Sequence, residues 1–433
     1  MPNTINRRHF LKQVSSVSAA LAAPSIIPDS VLGRSGHIVP SERITMAFIG
    51  VGGMGTADLR GFLEKKQVQV RAVCDVDDEH LHEARDLVNT HYNNSDCLVF
   101  KDFRGLLLRQ DIDAVCIALP DQWHAVASVM ACRSGKDVYA EKPLAYNISE
   151  GRAIVNAVQK YGTVWQTGSQ QRSEHNFRFG CELVRNGYIG EVKKVLVGLP
   201  YGNSIRPGDF RPSTPPAGFD YDMWLGPAPY AAYCEGRCHW NFRWISDYAG
   251  GQLTDWAGHH IDIAQWGMNS ELSAPVEVEG DGEWPAAKEG LFDTMEGYRF
   301  VCTYAEGFTM IVADSKKHKM GVRFEGSEGW IYVDRGVIET YPGSLLRTTI
   351  KPEEIHLYES SDHRLNFLDC VRSRQKPIAP AEVAHHSIMV AHLGLASIKL
   401  GRKLKWNNCA ERFIDDPQAD RLLTRSMRSP WHL

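Results

Sequence analysis

The stretch Ile44–Gly55, ITMAFIGVGGMG, decides the fold of this chain. Its apolar run predicts a β-strand, its glycines match the pattern G-x-G-x-x-G, and the next segment, 56–64, has a helix-like pattern. Such a turn lets the backbone approach a pyrophosphate, and the free N–H groups that begin the following helix attract phosphate. We therefore predict a dinucleotide-binding turn formed by Gly50, Gly52, Gly53, Met54 and Gly55.

A second apolar run, Val68–Cys74, ends in Asp75, at the spacing of ~20 residues from the glycine turn that a dinucleotide-binding unit requires. An acidic residue at this strand end can accept hydrogen bonds from a ribose diol, and it repels a 2′-phosphate. NAD is therefore favoured over NADP. A glycine turn in a nucleotide-free α/β protein would explain the glycines alone, but not the agreement of strand, turn, helix and acid.

The chain between residue 44 and about residue 170 alternates strand and helix patterns. Apolar runs predict strands at 44–49, 68–74, 97–100, 113–119, 137–140 and 163–167, and amphipathic segments predict helices at 53–64, 77–90, 103–109, 122–134 and 148–160. This alternation predicts a doubly wound parallel sheet, an NAD-binding Rossmann domain over residues 41–170.

The pattern changes after about residue 190, where strands follow one another without regular helices. The predicted strands are Val192–Leu199, Tyr298–Tyr304, Phe308–Ala313, Val322–Phe324 and Trp330–Val333. They predict a mostly antiparallel sheet in an α+β domain over residues 171–433, which ends with two helices, Arg364–Arg374 and Pro380–Leu400. The tail, Phe413–Leu433, is expected to pack on the surface or on a partner subunit. The fold class is α/β overall.

Polar motifs follow three of the predicted parallel strands. Leu119–His124, Glu141–Pro143 and Gln166–Gln171 lie at carboxyl ends of strands, where ligands bind in such sheets. They provide, as candidates for contact with the cofactor or the substrate, Pro120, His124, Glu141, Lys142 and Gln170. His124 could instead cap a helix or pack, and Glu141 could serve the cofactor ribose or a structural hydrogen bond.

A fourth motif, GGQLTDWAGHHID, occupies residues 250–262. If Thr254–Met268 is helical, Asp255 and His259 lie four residues apart and share one face of the helix. His260 is adjacent, but only one of the two histidines can face the site. The spacing from Asp255 selects His259.

These motifs together resemble the glucose–fructose oxidoreductase, inositol dehydrogenase and rhizopine-catabolism family, known as Gfo/Idh/MocA. The resemblance rests on Gly50–Gly55, Asp75, the E-K-P motif at 141–143 and the Asp255-x-x-x-His259 pair, and it covers nearly the whole chain beyond residue 40. It implies a Rossmann domain followed by a domain with an open, mostly antiparallel sheet. That sheet commonly builds an oligomer interface, so a homo-oligomer (dimer or tetramer) is expected. It also implies chemistry on a hydroxyl of a carbohydrate or cyclitol.

The chemistry implied by this resemblance explains why these residue types are needed. Removing a hydroxyl proton suits histidine, whose unperturbed pKa is ~6.5, and His259 is the candidate base. Lys142 would hydrogen-bond the reacting oxygen and stabilise the negative charge that develops there. Asp255 would bind a neighbouring sugar hydroxyl or orient the histidine.

Residues 201–248 depart from the pattern of shorter family members. This insertion is rich in proline and aromatic residues, Trp224, Trp240 and Trp244 among them. Aromatic faces pack well on pyranose rings, so one interpretation is a sugar-binding lid, and the other is an arm that packs on another subunit. Arg243 and Trp244 are substrate-binding candidates, although Arg243 could be an ordinary surface arginine.

The N-terminal segment, 1–40, resembles a twin-arginine signal peptide. Arg7-Arg8 precedes Phe10-Leu11-Lys12, a weakly apolar run and a small-residue cleavage site at Ala20-Leu21-Ala22. The apolar run is too short and polar to span a bilayer, which requires ~20 apolar residues. We therefore expect a periplasmic or otherwise exported protein without a membrane span.

Composition and cysteine spacing limit the other functions. A net charge of −4 without a long basic run gives no support for nucleic-acid binding. Cys234, Cys238 and His239 are the one close cluster, and they lack a second ligand pair at metal spacing, so no metal site is predicted. Those two cysteines could pair as a disulfide or remain free thiols.

The leading prediction is an exported NAD-dependent oxidoreductase with tightly bound nicotinamide. It would transfer hydride between that cofactor and a hydroxyl of a sugar, glycoside or cyclitol, a glycoside 3-dehydrogenase being one such enzyme. The alternative is an NAD-dependent glycosidase, similar to the α-N-acetylgalactosaminidases of this fold. Such an enzyme transiently oxidises C3 of the sugar, eliminates the aglycone, adds water and reduces the ketone again. A non-catalytic binding protein is disfavoured because the side chains of both the E-K-P and the D-x-x-x-H motif are present.

Overall fold

Six parallel strands form the first sheet, as the alternating sequence pattern predicts. This computed structural model describes residues 42–286 and 290–433, so the signal-like segment 1–40 lies outside the described residues. The strands are β1 (Ile44–Ile49), β2 (Val68–Cys74), β3 (Leu98–Phe100), β4 (Ala114–Ile117), β5 (Asp137–Ala140) and β6 (Trp165–Thr167). The helices are α1 (Gly53–Leu63), α2 (Asp78–Tyr92), α3 (Phe103–Leu107), α4 (Asp121–Arg133) and α5 (Ile148–Tyr161). The strand order, β3-β2-β1-β4-β5-β6, reverses between β1 and β4, which is where such sheets bind ligands.

The glycine-rich turn joins β1 to α1 and leaves no room for a side chain at two of its positions. A Cβ on Gly55 would lie 2.0 Å from the carbonyl oxygen of Gly50, and a Cβ on Gly50 would lie 2.4 Å from that of Ala118. Gly50 also has a φ of 81°, in the left-handed region that favours glycine. These contacts hold α1 close to β1 and β4, so that the N-terminus of the helix faces the crevice.

The second half of the chain forms a nine-stranded sheet that is mostly antiparallel, as predicted. Its strands are β7 (Val192–Leu199), β8 (Glu277–Glu283), β9 (Gly297–Thr303), β10 (Thr309–Asp314), β11 (Gly321–Gly326), β12 (Trp330–Asp334), β13 (Val337–Tyr341), β14 (Leu404–Asn407) and β15 (Arg412–Phe413). Their order is β13-β12-β11-β7-β10-β9-β8-β14-β15. Among the strand pairs of the described residues in this sheet, only β7 and β10 run parallel.

Helices cover one face of this second sheet. The later helices are α6 (His175–Arg185), α7 (Tyr221–Leu225), α8 (Gly251–Gly267), α9 (His363–Ser373), α10 (Ala381–Leu400) and α11 (Pro417–Asp420). α8 packs against α10 and β7, and α10 also packs against β8. Within 42–286 and 290–433, none of the helices has the length and apolar character needed to cross a membrane.

Several elements of the second half lack a sequence pattern strong enough to predict them. β8, with the sequence EVEGDGE, has Val278 as its one fully buried side chain, so its apolar alternation is weak. Backbone pairing with β9 along its whole length holds it in the sheet. α6 and β13 were also not predicted, because the sequence analysis assigned no helix between β6 and β7 and ended the strand pattern at β12.

Helix α9 packs on the first sheet, although its position in the sequence suggested the second domain. The ring of Phe367 lies 6.2 Å from that of Phe62 in α1 and 5.8 Å from that of Tyr139 in β5. Arg364 donates from Nη2 to Oδ1 of the buried Asp58, at 2.7 Å. The boundary predicted near residue 170 therefore separates the two sheets but not two independent cores, and residues 44–433 form one compact unit.

The C-terminal tail returns to the first half of the chain. The ring of Trp431 lies 4.6 Å from that of Trp123 in α4, and Arg425 forms an ion pair of 2.7 Å with Glu150 in α5. Of the two expectations for the tail, packing on the surface of its own chain is therefore confirmed.

Candidate active site

A cavity of about 710 Å³ opens at the carboxyl ends of the parallel strands. It lies between the glycine-rich turn, the first half of α8 and the insertion 201–248. The predicted site residues that line it are Gly50, Gly52, Gly53, Met54, Asp75, Pro120, Glu141, Lys142, Gln170, Arg243, Asp255 and His259. Its size is within the range of small-molecule and cofactor sites.

The N-terminus of α1 faces this cavity without a side-chain cap. Gly52 occupies the N-cap position, and because glycine has no side chain, no side-chain oxygen accepts the N–H groups of the first turn. A Cβ on Gly53 would meet no non-neighbouring atom of the described residues within 4 Å. Backbone N–H groups of the first turn therefore face open space, where the phosphates of a dinucleotide can accept their hydrogen bonds. The residues of this turn fit such a ligand.

Two main-chain donors fix the carboxylate of Asp75 at the tip of β2. Val51 donates its N–H to Oδ2 at 2.8 Å, and Asp77 donates its N–H to Oδ1 at 3.0 Å. Burial raises the pKa of Asp75, although the two N–H donors act in the opposite direction. Because each carboxylate oxygen can accept more than one hydrogen bond, Asp75 can also bind the hydroxyls of a ribose.

Lys142 and Asp255 meet across the cavity. Lys142 follows β5, and its Nζ donates to Oδ1 of Asp255 at 3.1 Å. Arg243 of the insertion places Nε 3.6 Å from the same oxygen. Burial alone would raise the pKa of Asp255, but the attraction of Lys142 and Arg243 is stronger in sum and lowers it. The ionised carboxylate therefore holds both cations at the site.

Gly258 allows α8 to approach Lys142 this closely. A Cβ on Gly258 would lie 3.1 Å from the Cβ of Lys142, which is tighter than an ordinary van der Waals contact. Ser169 fixes the same turn of the helix, because its Oγ donates to the carbonyl oxygen of Gly258 at 2.8 Å. Gly258 lies within the motif at 250–262, but the sequence pattern gave no sign of this packing role.

His259 lines the same cavity with an uncharged imidazole. Burial, followed by the nearby charge of Lys142, lowers the pKa of His259 well below its ordinary value of 6.5. Its Nδ1 is buried and has no hydrogen-bond partner in the described part of the chain. His260 is also buried, but its Nε2 lies 3.7 Å from Asp334 and it is not part of the cavity wall. The structure therefore places His259, not His260, in the cavity wall.

Glu141 forms part of the cavity wall and lies near the buried carboxyl group of Asp58. Burial, followed by the charge of Asp58, raises the pKa of Glu141 to about 8. Gly168 leaves the room for it, because a Cβ there would lie 2.1 Å from Oε1 of Glu141. Glu141 is thus largely protonated at neutral pH and can donate as well as accept a hydrogen bond. Its two expected roles, towards the ribose and towards the structure, both stay predictions.

Three predicted site residues, His124, Trp244 and Gly55, lie outside the cavity wall. Both ring nitrogens of His124 face main-chain carbonyl oxygens, Nδ1 at 2.6 Å from Pro143 and Nε2 at 2.8 Å from Leu119. The ring of His124 thus packs between the loops that follow β4 and β5, and its role towards the cofactor stays a prediction. Trp244 is 1% exposed and does not line the cavity, and its role towards the substrate likewise stays a prediction. Gly55 does not line the cavity but packs against the backbone of Gly50.

Two charged residues line the cavity although the sequence analysis did not select them. Asp121 begins α4, and burial, followed by the charge of Asp255, raises its pKa to about 7. Asp121 directly follows Pro120 at the end of a predicted strand, and this position could have marked it as a candidate site residue. Arg335 comes from the turn between β12 and β13, and its guanidinium lies 4.7 Å over the ring of Trp256. No local motif marked Arg335, because a hairpin distant in sequence brings it to the site.

The insertion forms one wall of the cavity and has a small core of its own. The core residues are Phe219, Tyr221, Trp224, Leu225, Ala228, Cys238, Phe242, Ile245, Tyr248 and Ala249. The residues that face the cavity are Arg206, Phe219, Met223, Trp224, His239, Trp240, Phe242 and Arg243. This is the position expected of a lid over the site. Cys234 and Cys238 are both buried free thiols, which is the second of the two alternatives considered for them.

Comparison with family models identifies both halves of the chain. A model described as an oxidoreductase family with an NAD-binding Rossmann fold matches residues 44–169. A model of the C-terminal α/β domain of an oxidoreductase family matches residues 180–433. The glycine turn, Asp75 and Lys142 lie within the first match, and Asp255 and His259 lie within the second.

Individual relatives are more distant. An α-N-acetylgalactosaminidase of Shewanella oneidensis is 30% identical over 215 residues, which cover 44% of this chain and 45% of that protein. The chain thus spans less than half the length of the curated relatives that it matches, 45% in this example.

Solved structures share the fold over most of the chain. An aldose-aldose oxidoreductase from Caulobacter crescentus, complexed with glycerol, has a TM-score of 0.62 at 18% identity, covering 84% of this chain and 99% of that chain. The WlbA dehydrogenase from Bordetella pertussis, in complex with NADH and UDP-GlcNAcA, has a TM-score of 0.62 at 14% identity, with the same coverage of 84% and 99%. At these identities the likeness shows the fold alone.

Proposed function

Because the chain belongs to the oxidoreductase family whose NAD-binding Rossmann model and C-terminal α/β model both match it, we propose that it transfers hydride between NAD and a carbohydrate hydroxyl. The hydroxyl would belong to a sugar, a glycoside or a cyclitol, and a glycoside 3-dehydrogenase is one activity of this kind. The observation that carries the proposal is the meeting of Lys142, Asp255 and His259 in the cavity that the glycine turn also lines.

The residues of the site divide the work of alcohol oxidation among them. A nicotinamide bound in the cavity would supply the hydride acceptor. The neutral imidazole of His259 takes the hydroxyl proton, because its lowered pKa leaves it unprotonated. Lys142 stabilises the oxygen as negative charge develops there, and Asp255 keeps the ammonium group in place. In the opposite direction His259 returns the proton to the oxygen of the ketone.

The preference for NAD over NADP is argued from Asp75. Its carboxylate is fixed by Val51 and Asp77 at the end of β2, and a 2′-phosphate would bring a second negative charge against it. Tight retention of the cofactor is supported by the insertion, because its residues cover the cavity. Mass spectrometry of the cofactor released on denaturation of freshly purified protein tests both points. We expect about one NAD per chain, whereas NADP or no dinucleotide would contradict them.

The oxidoreductase activity itself is tested by following the near-ultraviolet absorbance band that only the reduced nicotinamide has. Addition of sugars, glycosides or cyclitols is expected to reduce NAD, and a keto-sugar is expected to reoxidise it. If no member of these classes changes the absorbance of a preparation that contains the cofactor, the proposal is wrong.

A second candidate is an NAD-dependent glycosidase. Two observations favour it: the similarity to the α-N-acetylgalactosaminidase, and the buried Asp121, whose pKa near 7 suits a second base for the proton next to the ketone. Release of a chromogenic aglycone without added NAD and without net reduction would favour this candidate. Accumulation of reduced cofactor in step with sugar oxidation would favour the first.

Export through the twin-arginine route and assembly into a homo-oligomer are further parts of the proposal. Arg7-Arg8 and the weakly apolar run after it support export, and export of a folded protein allows a cofactor to be loaded beforehand. Fusion of residues 1–40 to a reporter, followed in cells with and without the twin-arginine translocase, tests this. Light scattering on the purified protein tests the dimer or tetramer.

A further inference from the structure

A second cluster of potential ligands lies where the insertion meets the first sheet. Asp77 and His80 stand at the start of α2, and His239 comes from the insertion. One donor atom from each of the three residues lies within 4.8 Å of the others. Oδ2 of Asp77 is 3.5 Å from Nε2 of His239, and the two imidazole rings have centroids 5.0 Å apart. From these contacts we propose that Asp77, His80 and His239 bind a transition-metal dication such as Zn²⁺.

The donor set selects this class of ion. Two imidazoles and one carboxylate suit Zn²⁺, Co²⁺ or Ni²⁺, whereas Mg²⁺ and Ca²⁺ prefer oxygen ligands throughout. Donors around a tetrahedral zinc ion stand ~3.3 Å apart, so donor atoms that now lie within 4.8 Å of one another must approach by up to about 1.5 Å to bind it. Neither imidazole makes a hydrogen bond within the described residues, and the side chains of His80 and His239 are 30% and 46% exposed. Three protein ligands would leave the fourth position of a tetrahedral ion to water.

Neighbouring groups leave the donor atoms available and orient them. Asp77 uses Oδ1 to cap α2, accepting the N–H of Glu79 at 2.9 Å, which leaves Oδ2 for an ion. Oδ2 of Asp75 lies 4.0 Å from Nδ1 of His80, where a carboxylate can orient the ring, as carboxylates commonly do for histidines that bind metal.

The position of the cluster gives the ion a structural role. The backbone of the insertion already pairs here with the segment after β2, because Asp220 donates its N–H to Val76 at 2.9 Å and Asp78 donates its N–H to Gly218 at 3.1 Å. A metal bound by side chains from both segments would cross-link the insertion to α2 at the edge of the cavity. Asp77 and His80 lie about 160 residues before His239 in the chain, so local spacing in the sequence does not reveal this ligand set. The proposal does not depend on the proposed function.

The test is titration of the tag-free, full-length protein, treated with chelator, with ZnCl₂ in a calorimeter and with CoCl₂ under visible absorption. We expect one ion per chain and a Co²⁺ absorption band in the visible range. His239→Ala is expected to weaken Zn²⁺ binding by at least about 100-fold, more than loss of an outer partner of a ligand gives. Asp77→Asn, which keeps a capping side chain for α2, is expected to weaken it as well.

His82→Ala is the matched control, because His82 lies exposed on the same helix and outside the cluster. It is expected to bind Zn²⁺ as the wild type does, and circular dichroism should show all three variants folded. The proposal is overturned if the wild type binds no Zn²⁺ at a stoichiometry of one, or if folded His239→Ala binds it with unchanged affinity. It is equally overturned if His82→Ala weakens binding as much as His239→Ala.

Discussion

At the scale of single residues, the chemistry of the cavity depends on the charge states of three side chains. Asp255 is ionised, since the attraction of Lys142 and Arg243 outweighs the effect of burial on its pKa. His259 is neutral, since burial and Lys142 lower its pKa. A cation that stabilises oxyanion charge therefore stands beside an unprotonated base, which is the combination that alcohol oxidation requires.

Replacement of Lys142 tests this arrangement directly. Lys142→Met keeps an unbranched side chain that is one atom shorter and removes the ammonium, so kcat is expected to fall by about 100-fold to 1,000-fold, the range found on loss of an oxyanion donor. The measurement is the rate of cofactor reduction with saturating substrate. Lys160→Met, at an exposed position of α5, is the control and should leave the rate unchanged. Equal rates in Lys142→Met and the wild type would contradict the assigned role.

The pH dependence of the reaction separates Asp121 from His259. The pKa of Asp121 is raised to about 7, so this carboxyl loses its proton as the pH rises through neutrality and then stabilises the positive charge of Lys142. The pKa of His259 is lowered, so its imidazole stays unprotonated as the pH falls through 6.5. We expect kcat/KM to rise with an inflection near pH 7 that Asp121→Asn abolishes. An inflection near 6.5 that persists in Asp121→Asn would contradict a neutral His259.

Lys142 and His259 both line the cavity, and the position of each follows from a regular element. Lys142 ends a parallel strand and His259 lies one helical turn after Asp255, so secondary structure alone brings them near the same edge. His124 also follows a strand, but its environment depends on the carbonyl groups of Leu119 and Pro143, whose direction no pattern reveals. Trp244 is buried away from the cavity, and aromatic composition does not tell which rings of an irregular segment point inward.

At the scale of elements, the unit of β1, glycine turn and α1 has two kinds of glycine. Gly55 is needed for packing, because a Cβ there would lie 2.0 Å from the backbone of Gly50. Gly53 faces open space at the N-terminus of the helix. The two positions therefore allow the stability of the turn to be separated from its function in binding phosphate.

A pair of alanine substitutions makes this separation measurable. Gly55→Ala forces the strand and helix apart and is expected to destabilise the protein by about 2 kcal/mol or more, a typical cost of overpacking. Gly53→Ala is expected to unfold like the wild type but to retain less NAD, because its methyl group projects towards the phosphates. Thermal unfolding and the NAD content of the purified variants are the two measurements. Normal NAD content in Gly53→Ala would place the phosphates elsewhere.

The first sheet was predictable because the apolar runs of its central strands β1, β4 and β5 are buried along nearly their whole length and alternate with helices. The elements of the second sheet were predictable only in part. β8 is mostly polar, and its place depends on backbone pairing with β9, which leaves no trace in side-chain periodicity. Helix α9 was predicted, but periodicity shows only that a helix has an apolar face, not which sheet that face covers.

At the scale of the whole molecule, α9 joins the C-terminal half to the first sheet through an ion pair whose carboxylate is buried and whose guanidinium is partly exposed. Asp58 is fully buried, and Arg364 is its partner at 2.7 Å. Removal of one partner of such a pair leaves an uncompensated charge in the interior, which is strongly destabilising. The stability of the first sheet should therefore respond to a residue some distance beyond the predicted domain boundary.

Arg364→Met tests this coupling. It is expected to lower the free energy of unfolding by about 3 kcal/mol, and the double variant Asp58→Asn/Arg364→Met should recover much of the loss. Lys65→Met breaks the more exposed pair with Asp362 between the same two segments and should cost less than about 1 kcal/mol. Denaturant unfolding followed by fluorescence measures all three variants. A loss in Arg364→Met no larger than in Lys65→Met would show that α9 is not held by this pair.

The place of Phe367 over Phe62 and Tyr139 has a consequence for synthesis on the ribosome. The ribosome synthesises the strands of the first sheet early, but α9, which covers one apolar face of that sheet, is synthesised near the end of translation. During most of elongation that face stays uncovered, so a chaperone that binds exposed aromatic side chains has a long interval in which to act. Truncated translation products that stop before α9 are therefore expected to aggregate, even though they contain the entire dinucleotide-binding unit.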